Sequence, residues 1–194
     1  MRVIGGTARG RVLKTALLAG GKKIRPLSDR AKEALFNILA QVTPDCVFLD
    51  LFAGSGQVGI EALSRGAKLC VFCEKESGAV RFINDNLELC GFSDRAEIFA
   101  LDVLSAISVL DKNKALFDVI FIGAPYGRRI LLDTLEKISK SGILKVNGIV
   151  IAEHTKRQEA AREYGGLKKF RENRYGDTVF SFYRRGGFET RPYK

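Results

Sequence analysis

The stretch Val47-Phe-Leu-Asp-Leu-Phe-Ala-Gly-Ser-Gly56 constrains the chain most, because it reads as a buried strand running straight into a glycine-rich turn. Val47, Phe48, Leu49, Leu51 and Phe52 form a nearly continuous apolar run, the pattern of a central parallel strand covered on both faces. Gly54 and Gly56 can take backbone angles closed to other residues and bring main-chain N–H groups close to a ligand. In a doubly wound sheet, ligands bind at that end of the strand. Asp50 stands near the same end, where a carboxylate can hold an amine or a hydroxyl. A tight strand-to-helix turn with no ligand would leave the same signature.

The spacing narrows the choice. A P-loop is excluded because no Gly-Lys-Ser/Thr follows, whereas Gly54-x-Gly56-x-x-Gly59 also fits a dinucleotide fingerprint. The acid ahead of the glycines separates the two surviving readings: Asp50 with Gly54 and Gly56 resembles motif I of class I methyltransferases, which bind S-adenosylmethionine.

The rest of the chain alternates strand and helix. Ser28 is a good N-cap for a helix with Ala31, Ala34, Leu35, Ile38 and Leu39 at helical spacing. A short helix over 58–64 ends before Gly66, and a second strand over 68–74 ends in Glu74, about 20 residues after the glycine turn, where a carboxylate can accept both hydroxyls of a ribose. A helix over 77–90 follows, then a strand over 96–101. Just beyond it Asp102 can accept an adenine amino group while Val103 packs on the ring. Helices over 103–110 and 130–139 flank a strand over 117–122 that is apolar apart from Asp118, and a fifth strand spans 148–153. This alternation implies a parallel sheet with helices on both sides, and the turn Tyr175-Gly-Asp-Thr178 between strands 167–175 and 178–184 closes the chain in an antiparallel hairpin.

Charge divides the chain differently. Its net +10 is concentrated at the ends: residues 1–32 hold nine Lys and Arg against Asp29 alone, and 154–194 hold eleven against five acids. The middle carries twelve against sixteen, so basic ends flank an acidic core, an arrangement suited to gripping a polyanion. The opening segment, read as a hairpin or arm, carries Arg9, Arg11 and Lys14 for phosphate contacts, with Arg25 beyond a Gly-Gly-Lys-Lys connector. A solvated basic surface without a partner would look the same. The expected division is a basic arm over 1–27, a catalytic domain over 28–185 and a loose tail over 186–194.

Other chemistries find little support. No apolar run approaches the roughly 20 residues of a membrane span, and the first residues lack a signal-peptide core, so no membrane is expected and the cytoplasm is the default. Cys70 and Cys73 lie three apart on a strand and face opposite sides, so no metal is expected, and all four cysteines read as reduced core residues. His154, the only histidine, reads as a strand-end or surface residue with no nucleophile motif nearby.

The fourth strand ends in Gly123-Ala-Pro-Tyr126, where amino-group methyltransferases carry Asp/Asn-Pro-Pro-Tyr/Phe. An exocyclic amine is a poor nucleophile because its lone pair is delocalised into the base. Acceptors for its two hydrogens aim the lone pair at the methyl group, and an aromatic ring stacks on the extruded base. Across almost its whole length the chain resembles the bacterial RsmD family, which methylates N2 of a guanine in 16S ribosomal RNA within the small subunit. The resemblance rests on Arg2-Val-Ile-Gly-Gly6 with Gly10-Arg11, Arg25-Pro-Leu-Ser-Asp-Arg30 leading into Glu33–Leu39, Phe48–Gly56, Ile60–Ala67 and Asn86-Leu87. It implies a class I, Rossmann-like α/β fold, a mostly parallel seven-stranded sheet with a C-terminal antiparallel hairpin and a short basic N-terminal arm. It also implies S-adenosylmethionine bound by Asp50, Phe52, Gly54, Gly56, Glu74, Lys75, Asp102 and Val103, with Pro125 and Tyr126 as catalytic positions. The implied partner is 16S rRNA or the assembled small subunit, met by a monomer through Arg9, Arg11, Lys14 and Arg25. Gly123 and Ala124 depart from the family's Asp-Pro-Pro-Tyr, and three readings stay open: slow catalysis through backbone carbonyls and proximity, an acceptor supplied from elsewhere with Glu153 the nearest by topology, or RNA or cofactor binding without turnover.

Overall fold

The computed structural model describes residues 1–15, 27–125, 128–158 and 160–186. The glycine-lysine connector, Arg25, Tyr126 and the tail from 187 onward lie outside the described residues.

Ser28 caps α1 (Asp29–Ile38): its Oγ accepts the Ala31 N–H at 3.2 Å. The chain then runs through β1 (Val47–Leu51), α2 (Gln57–Ser64), β2 (Leu69–Cys73), α3 (Ser77–Cys90), β3 (Ala96–Phe99), α4 (Val103–Lys112), β4 (Phe117–Ile122), α5 (Arg128–Lys140) and β5 (Leu144–Thr155). These first five strands pair parallel, and β6 (Glu163–Tyr164), β7 (Leu167–Tyr175) and β8 (Thr178–Arg185) add antiparallel ladders, giving the order β3-β2-β1-β4-β5-β8-β7-β6.

The expected α/β architecture is therefore present, with eight strands among the described residues rather than seven. The additional strand, β6, has two residues, too few to show a period-2 pattern. Strand β5 also begins earlier than its apolar run, because Leu144 pairs with Phe117 before a register shift that carries exposed Val146 on the strand. His154 lies on β5 as expected of a strand-end residue but is buried, not on the surface: its ring nitrogens sit 2.9 Å from Ser181 Oγ and 3.0 Å from the Thr155 carbonyl. The antiparallel β8 covers that side of β5, so the strand end is interior.

Alternation divides the core in two. Phe48, Cys70, Phe72, Val119, Phe121 and Ile151 face α1, α2 and α3, whereas Leu49, Leu51, Cys73, Ile120 and Ile122 face α4 and α5. Cys70 and Cys73 fall on opposite faces, all four cysteines are free and buried, and burial pushes the Cys46 and Cys73 thiols up to about 12.

The arm folds back as a hairpin, with Val3 N–H donating to the Arg11 carbonyl and Leu13 N–H to that of Met1. Val3, Ala8 and Leu13 are buried in the α1–α3 core, and burial of side chains like Val3 and Leu13 contributes about 1.5–3 kcal/mol each. A buried carboxylate fastens the hairpin further. Glu61 accepts the Ile4 and Gly5 N–H groups at 2.8 Å each and the Arg65 Nε–H at 2.8 Å, with the Lys32 ammonium 3.4 Å away. Lys32 in turn donates to the Arg2 carbonyl at 2.6 Å, and burial lowers its pKa against the pull of Glu61.

Candidate functional site

The sheet order reverses at β1 and β4, which opens a crevice outside their carboxyl ends. The chain leaves β1 through three left-handed residues, Phe52 (φ 63°), Gly54 (φ 58°) and Gly56 (φ 77°). Phe52 is the informative one, since a bulky side chain rarely adopts this conformation outside a functional turn. The turn is fixed by Ala53 N–H donating to the Cys73 carbonyl and Gly56 N–H to that of Ala53. Gly59 serves packing: a Cβ there would lie 2.3 Å from Phe72 Cε1 and 2.6 Å from Cys70 Sγ, so only glycine lets α2 approach β2 this closely.

Two carboxylates frame the turn. Asp50, buried on β1, accepts the Gly59 N–H through Oδ2 at 2.9 Å. Burial pushes its carboxyl up to about 7, with the charges of Glu74 and Glu153 adding to the shift and the Gly59 N–H opposing it. Glu74, one residue past β2, accepts the Gly54 N–H and the Glu76 N–H at 2.9 Å each. Asp102 caps α4 by accepting the Ser105 N–H at 3.0 Å, and hydrogen bonding from Ser105, by its side chain first and then by this N–H, holds its carboxyl below the usual range. An ionised carboxylate offers about four acceptor positions, and these backbone bonds use one or two on each residue. Acceptors beside a glycine turn fit the ammonium, ribose hydroxyls and adenine amine of the cofactor that the resemblance implies.

The remaining expected residues are distributed around this frame. Val103 is buried on the α4–α5 side and Lys75 is exposed, 3.9 Å from Glu76. Pro125 is exposed at the end of the β4 loop, while Tyr126 and Arg25 lie outside the described residues. Gly123 extends the β4 ladder, its N–H donating to the Leu51 carbonyl at 3.1 Å. Arg9, Arg11 and Lys14 are exposed on the hairpin; Arg11 donates to the Leu89 carbonyl at 2.8 Å and Lys14 pairs with Asp85 at 2.9 Å.

Sequence reasoning missed how the arm meets the turn. Buried Asn86 on α3 accepts the Lys14 N–H, and its amide donates to the Lys14 and Ser55 carbonyls at 3.0 Å each. One side chain thus joins the basic hairpin to the glycine turn. The available signal was a single amide on the inward side of an amphipathic helix, which identifies burial but no partner.

The family described as "Conserved hypothetical protein 95" matches residues 1–184. The putative rRNA methyltransferase YlbH of Bacillus subtilis is 34% identical over 96% of this chain and 100% of its own length. The ribosomal RNA small subunit methyltransferase D of Haemophilus influenzae is 34% identical over 80% of this chain and 79% of its own. Among solved structures, the putative methyltransferase yhhF from Escherichia coli superposes with a TM-score of 0.82 at 28% identity, covering 95% of this chain and 97% of that one.

Proposed function

We propose, since this chain belongs to the RsmD family, that it transfers a methyl group from S-adenosylmethionine to the exocyclic N2 amine of a guanine in small-subunit ribosomal RNA. The observation that carries the reading is the frame at the β1–β4 crevice, where a turn with three left-handed residues lies between the Asp50 and Glu74 carboxylates. S-adenosylmethionine supplies an electrophilic methyl group on a sulfonium.

The chain's own residues do the rest. Asp50 holds the amino acid end directly or through water, Glu74 the ribose hydroxyls, and Asp102 the adenine amine, with Val103 against the ring. Phe52, Gly54, Gly56 and Lys75 complete that site. Pro125 and Tyr126 would position the flipped base with its amine toward the methyl group that the cofactor would supply, and proximity of this kind can contribute about 7–11 kcal/mol of the barrier. Arg9, Arg11, Lys14 and Arg25 hold phosphates, and the Asn86 bridge supports this by joining the hairpin to the cofactor turn.

Equilibrium binding tests the cofactor half: S-adenosylmethionine binds in preference to NADH, and the reverse preference overturns the reading in favour of a nicotinamide enzyme. A second reading, RNA binding without turnover, is favoured by the bare Gly123. It predicts salt-sensitive RNA affinity with no methyl transfer.

A further inference from the structure

The reaction needs an acceptor beside the amine, and Gly123 has no side chain to provide one. The fold brings a different carboxylate to that point. Asp50 on β1, Phe121 and Gly123 at the end of β4, and Ile151 and Glu153 on β5 share one face by alternation, and the ladder pairs Phe121 with Ile151 and Ile122 with Ala152. Half-buried Glu153 is the next residue on that face, and its Oε2 lies 3.8 Å from where a Cβ on Gly123 would stand. An aspartate at 123 would carry its oxygens two bonds beyond that Cβ, within reach of this carboxylate.

Glu153 is also one of the charges that act on Asp50, so it belongs to the same crevice as the cofactor frame. It starts from a neighbouring strand and reaches, with its longer side chain, the place that a short side chain at 123 would serve. A glycine at 123 leaves the approach open.

We propose that the Glu153 carboxylate, reaching past Gly123 from the end of β5, is the acceptor that holds the guanine amine and takes its proton. This rests on the methyltransferase reading above. The amine lone pair forms the new N–C bond as the C–S bond breaks and its electron pair stays on sulfur. The positive charge passes to the methylated amine, which releases one proton to Glu153 and on to water. Removing one preorganised group of this kind lowers the rate by about 10²–10³-fold.

The geometry makes a second demand. Aspartate at 123 in the natural background would set two carboxylates against each other, and close like charges oppose ionisation of both. The substituted Cβ would also press to 3.1 Å from Phe121 Cε1.

The test is a cycle of Gly123→Asp, Glu153→Ala and the double variant, measuring single-turnover methyl transfer to undermethylated small subunits together with S-adenosylmethionine affinity and thermal stability. Glu153→Ala is expected to lose about 10²–10³-fold in rate with cofactor affinity within about threefold. Gly123→Asp alone gains nothing, while the double variant recovers at least about tenfold over Glu153→Ala. A Glu153→Ala rate close to that of the natural protein overturns the proposal, as does a gain from Gly123→Asp alone with none in the double variant. If the natural protein is inactive but Gly123→Asp is active, the assignment of Glu153 fails and the methyltransferase reading of the site survives. If all four proteins bind the cofactor and none transfers, both fail.

Discussion

Replacing Asp50 by asparagine isolates one ionisation at the centre of the site. The position is 2% exposed, and asparagine retains a carbonyl oxygen to accept the Gly59 N–H. In the folded protein the carboxyl is pushed from 3.8 up to about 7, so the folded state holds the proton more tightly than the unfolded chain. Stability from this residue is therefore greatest in acid, falls as the pH climbs between those two values, and then levels off. At about 1.4 kcal/mol per pH unit, the loss amounts to about 1–2 kcal/mol near pH 5 and about 4 kcal/mol near pH 8. The asparagine variant lacks this dependence. In denaturant unfolding of the ligand-free protein, its stability relative to the natural chain should rise by about 3 kcal/mol between roughly pH 5 and pH 8. A difference that stays flat, or one that moves against the variant as the pH rises, refutes the argument. The same ionisation couples to binding: a cationic ligand beside Asp50 favours the carboxylate, so S-adenosylmethionine affinity should rise by up to about tenfold per pH unit below about pH 7 in the natural protein alone.

Glu61→Ala should cost about 3–5 kcal/mol, because it strands the fully buried Lys32 ammonium and two hairpin N–H groups. Limited proteolysis should then cut within residues 1–15, and an arm that stays protected with stability unchanged would contradict this anchor. Gly59→Ala forces a Cβ to 2.3 Å from Phe72 Cε1 and should lower stability by about 1–3 kcal/mol or more in thermal unfolding; a neutral result would mean that α2 can lift off β2 freely. Arg9→Ala should reduce the salt dependence of RNA affinity by about 0.7 in the logarithmic slope, as expected for one lost phosphate contact on a single strand. An unchanged slope would remove Arg9 from the interface.

Local signals carried much of this molecule. The Ser28 cap, the helix over Ser77–Cys90 and the apolar strand over Phe117–Ile122 were all legible because cap chemistry and periodicity act within a few residues. The glycine turn was legible for a similar reason, and its third glycine is explained by the close packing of α2 on β2. What depended on distant partners was not. Glu61 sits in a helix whose eight residues are all buried, and the groups that justify a buried acid there lie 56 and 57 residues away on the hairpin. Asn86 similarly depends on Lys14 and Ser55, 72 and 31 residues distant. The burial of His154 required knowing that β8 would cover β5. Glu153 was reachable in outline, since parallel strands bring their ends together, but its approach to Gly123 comes from side-chain reach across a ladder.

The most direct measurement is transfer of a labelled methyl group from S-adenosylmethionine to undermethylated small ribosomal subunits, followed by nucleoside analysis of the RNA. The account predicts label in N2-methylguanosine at a single position, at a rate that falls sharply when Glu153 is replaced by alanine. Intact binding of cofactor and RNA with no label in any guanine would contradict it.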